Sequence, residues 1–162
     1  MNSIRQSYRW IWSSLVIACS ALSLSDCATI PSTAPQFAPA PPAAAGSGIV
    51  YFYRMSGPPK YRAPNVLVDG HLIFAPPAGA YTWSYFSEGV HRLDIKWGWD
   101  AAYPDIAIMI AVSGNQAQFI KISSSAGGAG LIPTRTSVGA AEVGENDATR
   151  ELATCCRFIQ SN

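Results

Sequence analysis

The residues in this chain whose types could do chemistry are few. Asp69 with His71, and His91 with Asp94, pair a carboxylate with an imidazole and so carry the donor types of a metal site. A closed metal site needs four ligands and an open one three. Neither pair has a third or fourth ligand at useful spacing, so no metal is expected. Nucleophilic hydrolysis needs a Ser or Cys beside a base, and no Gly-x-Ser-x-Gly turn occurs. Ala126-Gly-Gly-Ala-Gly130 has the glycine density of a phosphate cradle, yet no Lys-Ser or Lys-Thr follows it and no helix is predicted to open there. It reads as a flexible loop. The chain is therefore read as a non-enzyme without a cofactor. Cys155-Cys156 falls on the apolar face of a predicted helix, where a bond between neighbours is geometrically poor. Buried thiols are expected there, with an intermolecular bridge, or one to Cys27 or Cys19, as the alternative. Trp97-Gly98-Trp99, together with Trp83, Tyr81 and Tyr85, supplies the rings of a stacking platform for a sugar or a partner protein. The competing reading is that these rings fill a small core. Trp99 lies beyond the alternating run and is the one expected to be exposed.

Hydrophobic residues make up 49% of the 162-residue chain and charged residues only 13%, which asks for a well-buried, strand-rich fold. A net charge of +1 sets up no field that would gather phosphate backbones, so nucleic acid is not an expected partner.

The first third reads as targeting. Arg5 and Arg9 precede an apolar run over residues 10–24, which has the parts of a secretory signal. That run is short of the ~20 apolar residues of a permanent membrane span. Leu24-Ser25-Asp26-Cys27-Ala28 closes it and resembles the lipobox of bacterial lipoproteins, in which the Cys is joined to diacylglycerol and becomes the new N-terminus. Asp26 departs from the small neutral residue of that pattern, and a carboxylate is costly to hold near lipid. Val16-Ile17-Ala18-Cys19 has better local residues but too short an apolar run, so Cys27 is the expected lipidation site and Cys19 the alternative. A soluble exported form and an uncleaved anchor stay open beside these. Ala28 after the Cys resembles the outer-membrane sorting class, which implies a palmitate-bearing envelope protein facing the periplasm. Residues 27–47, with prolines at 31, 35, 39, 41 and 42, are predicted to be a disordered Pro/Ala-rich tether holding the domain on the order of 50 Å from its anchor.

The expected organisation is thus a signal peptide at 1–26, a tether at 27–47 and one domain at 48–162. Within the domain the punctuation is that of an all-β fold, a small antiparallel β-sandwich with a C-terminal helix. Ile49–Met55 is dense in β-formers. Asp69-Gly70 between Val66–Val68 and Leu72–Phe74 is the strongest short hairpin signal in the chain. Tyr81–Phe86 and His91–Trp97 are predicted to form a second hairpin about Ser87-Glu88-Gly89, with Leu93, Ile95 and Trp97 facing inward. Asp105–Val112 and Gln118–Ser123, turning at Ser113-Gly114-Asn115, are predicted to be central core strands. Ser123–Gly130 is predicted to be a loop, and Ser137–Val143 a further short strand. Asn146 or Asp147 is placed to cap a helix carrying Ala148, Leu152, Cys155, Cys156 and Ile159 on one face, expected to cover one edge or end of the sheets.

The order Ile49-Val-Tyr-Phe-Tyr-Arg54, Val66-Leu-Val-Asp-Gly-His71, and Gly79-Ala-Tyr81 running into Glu88-Gly-Val-His-Arg-Leu93 resembles a family of short bacterial lipoproteins with an uncharacterised domain, similar in pattern to PEGA-type β-modules. Ser87-Glu88-Gly89 stands where that family has Pro-Pro-Gly. The resemblance implies a small β-sandwich of no assigned activity, with Cys155 at the family's cysteine position. Signal, tether and resemblance together point to a membrane-anchored binding or structural module. Its expected partners are the membrane through its lipid and either an envelope protein or cell-wall glycan.

Overall fold

The computed structural model describes residues 29–99, 102–127 and 135–161. The signal segment, Cys19 and Cys27 lie outside them. Among these residues nine strands run in the order β1 (Ser47–Arg54), β2 (Asn65–Val68), β3 (His71–Phe74), β4 (Ala80–Ser87), β5 (Gly89–Lys96), β6 (Ile106–Val112), β7 (Ala117–Gly127), β8 (Arg135–Val143) and β9 (Arg157–Phe158), with helix α1 (Glu145–Cys155) before the last. They form two sheets, ordered β8-β7-β1-β4-β9 and β3-β2-β5-β6. The expected all-β sandwich with a C-terminal helix is the architecture observed.

β1 organises it. Its sequence is apolar at nearly every position because both faces are covered, the pattern of a strand buried on two sides. Val50 and Phe52 point between the sheets and pack with Val66, Leu93, Ile95, Ile110, Ile120 and Ile122. Ile49, Tyr51 and Tyr53 point the other way, into a second cluster with Tyr81, Phe119, Ala148, Leu152 and Cys156. At Gly48 a side chain has no room: an added Cβ would lie 2.5 Å from the Ser113 carbonyl oxygen and 2.7 Å from Val112 Cγ1.

The Asp69-Gly70 hairpin forms as predicted, with φ of 50° and 80° at its two turn residues, the left-handed pair of a type I′ turn. The second predicted hairpin does not form. β4 pairs with β1 and β9, whereas β5 pairs with β2 and β6, so Ser87-Glu88-Gly89 carries the chain from one sheet to the other. The side chains explain the choice. β4 sends Tyr81 and Trp83 to one side and Phe86 to the other and so suits the sheet covered on both sides, while β5 alternates Leu93 and Ile95 with Arg92, Asp94 and Lys96 and fits the sheet with one wet face. Ser113–Gln116 makes the same kind of crossing, which leaves β6 as an edge strand rather than a central one. The pairings of β1 with β7 and of β4 with β9 are parallel, a departure from an all-antiparallel sandwich. Ser123–Gly127, read from the sequence as loop, continues β7 and pairs with Arg135–Gly139 of a longer β8; residues 128–130 lie outside the described residues.

α1 lies across the outer face of the five-stranded sheet, not along an edge or end. Ala148 and Leu152 are its buried residues, and Gly144 occupies the N-cap without a side-chain bond, so neither Asn146 nor Asp147 serves as the cap. Glu151 ties the helix down. It accepts from the Tyr53 hydroxyl at 2.6 Å and from Lys121 Nζ at 2.6 Å.

The rest of that outer face is covered by the segment expected to be a disordered tether. Phe37 packs with ring centroids 6.0 Å from Tyr51 and 5.5 Å from Tyr81. The Ala38 and Ala40 N–H groups donate to the Tyr81 and Tyr51 hydroxyls at 3.1 and 2.7 Å, and the Tyr85 hydroxyl donates to the Pro41 carbonyl at 2.9 Å. Phe158 N–H donates to the Pro35 carbonyl, which tethers the segment to β9. Proline supplies no N–H, so this strap cannot ladder as a strand. The amides of Ala38 and Ala40 are met instead by tyrosine hydroxyls, the physics by which aromatic grooves take proline-rich chain. The folded unit therefore begins near residue 30, not at 48.

Candidate functional site

One end of the sandwich gathers most of the unusual side chains. β1 and β5 end there, β2, β4 and β6 begin there, and α1 delivers the two cysteines to it. Its hub is Arg54, the last residue of β1. Only 1% of Arg54 is exposed. Its Nη1 donates to the carbonyls of Arg62 (2.8 Å) and Pro76 (3.1 Å), and its Nη2 donates to the Pro59 carbonyl (2.7 Å). Its guanidinium lies 5.2 Å from the centroid of the Trp97 ring. No carboxylate balances it among the described residues, and burial pulls its pKa below the ordinary value. A planar fork with several donors suits such a site, because one cation can satisfy three carbonyls of an irregular loop while its face rests on an indole. Sequence reasoning did not single out Arg54. The signal available was a lone charge ending an otherwise apolar strand.

The three tryptophans proposed as a platform are not brought together. Trp97 is buried under Arg54 and stacks on Tyr103 at 4.8 Å, so it is core. Trp83 sits half-buried on the outer face of the other sheet, against Tyr85 at 5.3 Å and Phe158 at 6.2 Å. Trp99 is 98% exposed, and Tyr61, in the loop held by Arg54, is 77% exposed. Beside that loop the chain enters the fold. Thr29 and Ile30, with Ser56, Lys60 and Tyr61, line an open, mainly apolar groove of about 420 Å³. Gly79, at φ +84°, marks the crossing point: a Cβ there would lie 3.3 Å from both the Cys155 carbonyl and Ser56 Oγ and 3.6 Å from Ile30 Cδ1.

Cys155 and Cys156 are bonded to each other as a vicinal disulfide, which corrects the expectation of buried free thiols on one helix face. The helix stops at Cys155. Cys156 is extended, with φ −126° and ψ 146°, so the two residues do not share the helical geometry that would keep their sulfurs apart. Cys156 is buried against the strap-side cluster. A thiol assay on native protein is expected to find neither cysteine reactive until a reductant is added.

No family model, curated protein or solved structure matches this chain.

Among the described residues, no group of three or more His, Cys, Asp or Glu side chains is placed to hold a metal ion. The residues considered for that role have other partners. His91 Nδ1 is 2.6 Å from Asp69 Oδ2 and its Nε2 is 2.9 Å from the Ser87 carbonyl oxygen. Asp94 takes three hydrogen bonds from Arg92. His71 flanks the Asp69-Gly70 turn and is exposed. Both partners of His91 are acceptors, so both ring nitrogens donate and the imidazolium is the form that fits. The Asp69 carboxylate and the Ser87 carbonyl raise the His91 pKa above 6.5, and His91 with the Arg92 N–H lowers that of Asp69 below 3.8. The His91 contribution to stability is full below its unfolded value and is lost as pH rises through the raised folded value. That of Asp69 is present above its ordinary value and is lost as pH falls through the lowered one. The pair thus clamps the β2–β3 turn to β5 most firmly in mildly acidic solution. In an NMR titration the His91 ring is expected to titrate above 6.5, and Asp69→Asn is expected to move it back toward that value. An unshifted His91 in the parent chain would refute the clamp.

Proposed function

We propose that this chain is a non-catalytic lipoprotein of the cell envelope, anchored through acylated Cys27, whose β-sandwich serves as a binding or structural module at a membrane surface. The observation that carries the reading is where the chain enters the fold. An export-type segment ends at Cys27, and two residues later Thr29 and Ile30 already line a groove at one end of the domain. A vicinal disulfide suits an exported protein, because disulfides persist in oxidising compartments. The lipobox-like Leu24–Ala28 and the likeness to short bacterial lipoproteins support the same assignment, and Ala28 fits an outer-membrane location facing the periplasm. More than one acyl chain on a single Cys gives stable anchoring, at ~0.8 kcal/mol per buried CH₂.

The test is the intact mass of the protein from the membrane fraction, beside Cys27→Ala and Cys19→Ala. A mature chain beginning at Cys27 with added acyl mass, lost only in Cys27→Ala, is the expected result. An unacylated chain in the soluble fraction would overturn the assignment, and acyl mass lost only in Cys19→Ala would move the anchor.

A further inference from the structure

We propose that the end of the sandwich bearing Trp99 and Tyr61 is a membrane-contacting face, which seats those two rings in the headgroup layer of a phospholipid bilayer. The proposal rests on acylation of Cys27, as argued above, and adds where and how the folded domain meets the lipid.

Chain length compels the contact. A residue spans at most about 3.6 Å, so Cys27 is within about 7 Å of Thr29. Thr29 and Ile30 line the groove beside Ser56, Lys60 and Tyr61, with Ile30 Cδ1 next to Gly79. The strap that follows is docked along the sheet from Pro35 to Pro41, so it offers no slack. With the lipid at Cys27 in the bilayer, this end of the domain stands at the headgroup level, and no spacer lifts it away.

The side chains at this end suit that layer. Tryptophan and tyrosine are enriched at membrane–water interfaces, where an amphipathic ring sits among headgroups. Trp99 and Tyr61 are the two most exposed large hydrophobic residues described. The loops that carry them are joined beneath the surface by Arg54, which holds Pro59 and Arg62 on either side of Lys60-Tyr61 and rests on Trp97, two residues before Trp99. The rings are therefore presented from a braced base. Lys60 and Lys96 are exposed at this end, and such cations suit anionic headgroups. Asp105, also at this end, is turned onto the Trp97 N–H at 2.8 Å.

The experiment is tryptophan quenching by brominated phospholipids. Full-length protein purified from membranes, with acylation of Cys27 confirmed by intact mass on the same sample, is placed in vesicles of phosphatidylcholine and phosphatidylglycerol. Quenching is expected in the parent chain, to be mostly lost in Trp99→Phe, and to return when Tyr61→Trp is added to Trp99→Phe. Val90→Trp in the same background, at the opposite end of β5 and 66% exposed, is expected not to restore it. All these positions are exposed, so the variants keep the fold. If an acylated protein shows quenching indifferent to Trp99→Phe, or restored equally by Val90→Trp, the membrane face is refuted while the anchor stands. If Cys27 carries no acyl mass, both fall. A Trp99 emission shift with soluble cell-wall glycan and none with lipid would refute the membrane face in favour of a sugar site.

Discussion

Replacing Arg54 with Ala is expected to destabilise the domain by about 3 kcal/mol, since several buried carbonyls lose a charged donor worth roughly 1–3 kcal/mol each and water can reach only some of them. Arg54 is 1% exposed and bonds the carbonyls of Pro59, Arg62 and Pro76, so its removal unfastens the 55–64 loop and the β3–β4 connection together. It also leaves Trp97 without the cation on its face. The measurement is the urea midpoint at constant slope, which reads stability and not denatured-state compactness. Two further variants separate the causes. Arg54→Met refills the volume but donates nothing, and is expected to stay close to Ala. Arg54→Lys keeps the charge on a point donor without the planar fork, and is expected to recover part of the loss. If Met restored parental stability, packing and not carbonyl satisfaction would be the role of this residue.

A chain shortened to begin at Ala45 is the second large effect, expected to lose on the order of 4 kcal/mol through the uncovered aromatic face and the orphaned tyrosine bonds. The outer face of the five-stranded sheet would then expose Tyr51, Tyr81 and Trp83, which now pack with Phe37, Ala40 and Ala43. Phe37→Ala alone is expected to cost about 2 kcal/mol, and Tyr51→Phe, which removes the acceptor for the Ala40 N–H, about 1 kcal/mol. A disordered spacer makes the opposite forecast, with unchanged stability in all three. Thermal unfolding of the shortened and parent chains therefore decides between strap and spacer. Aggregation of the shortened chain would also fit a strap, because a large apolar patch on a soluble domain is itself a liability.

These two sites show what kind of information local sequence lacks. The proline spacing at 31–42 excludes helix and ladder, and the segment forms neither, only a turn at Ser32-Thr33 and one isolated bridge from Gln36 to Arg157. Nothing within it, however, announces that Tyr51, Tyr81 and Tyr85 align their hydroxyls to receive it. Likewise the run Ile49–Arg54 reads as a strand, but burial of its terminal guanidinium depends on carbonyls that the fold brings in from residues 59, 62 and 76. The aromatic residues divide in the same manner. Trp99 is exposed as its place past the alternating run suggests, whereas Trp97 and Trp83 are assigned to different layers by the sheets they join.

What the sequence determines by itself is where strands and turns fall. The β-formers of β1, the Asp-Gly turn, the alternation in β5 and β6 and the apolar stripe of Ala148 and Leu152 are each written within a few neighbouring residues, where backbone preference and side-chain period act. Tertiary structure alone decides which strand lies beside which, which face α1 covers, what the proline segment does and where the sulfur of Cys156 ends up. Those outcomes turn on competition between partners remote in the chain. β4 leaves its sequence neighbour β5 for β1 because the two-sided sheet covers Phe86 on one side and Tyr81 and Trp83 on the other, and that sheet is two-sided only once strap and helix have closed over it.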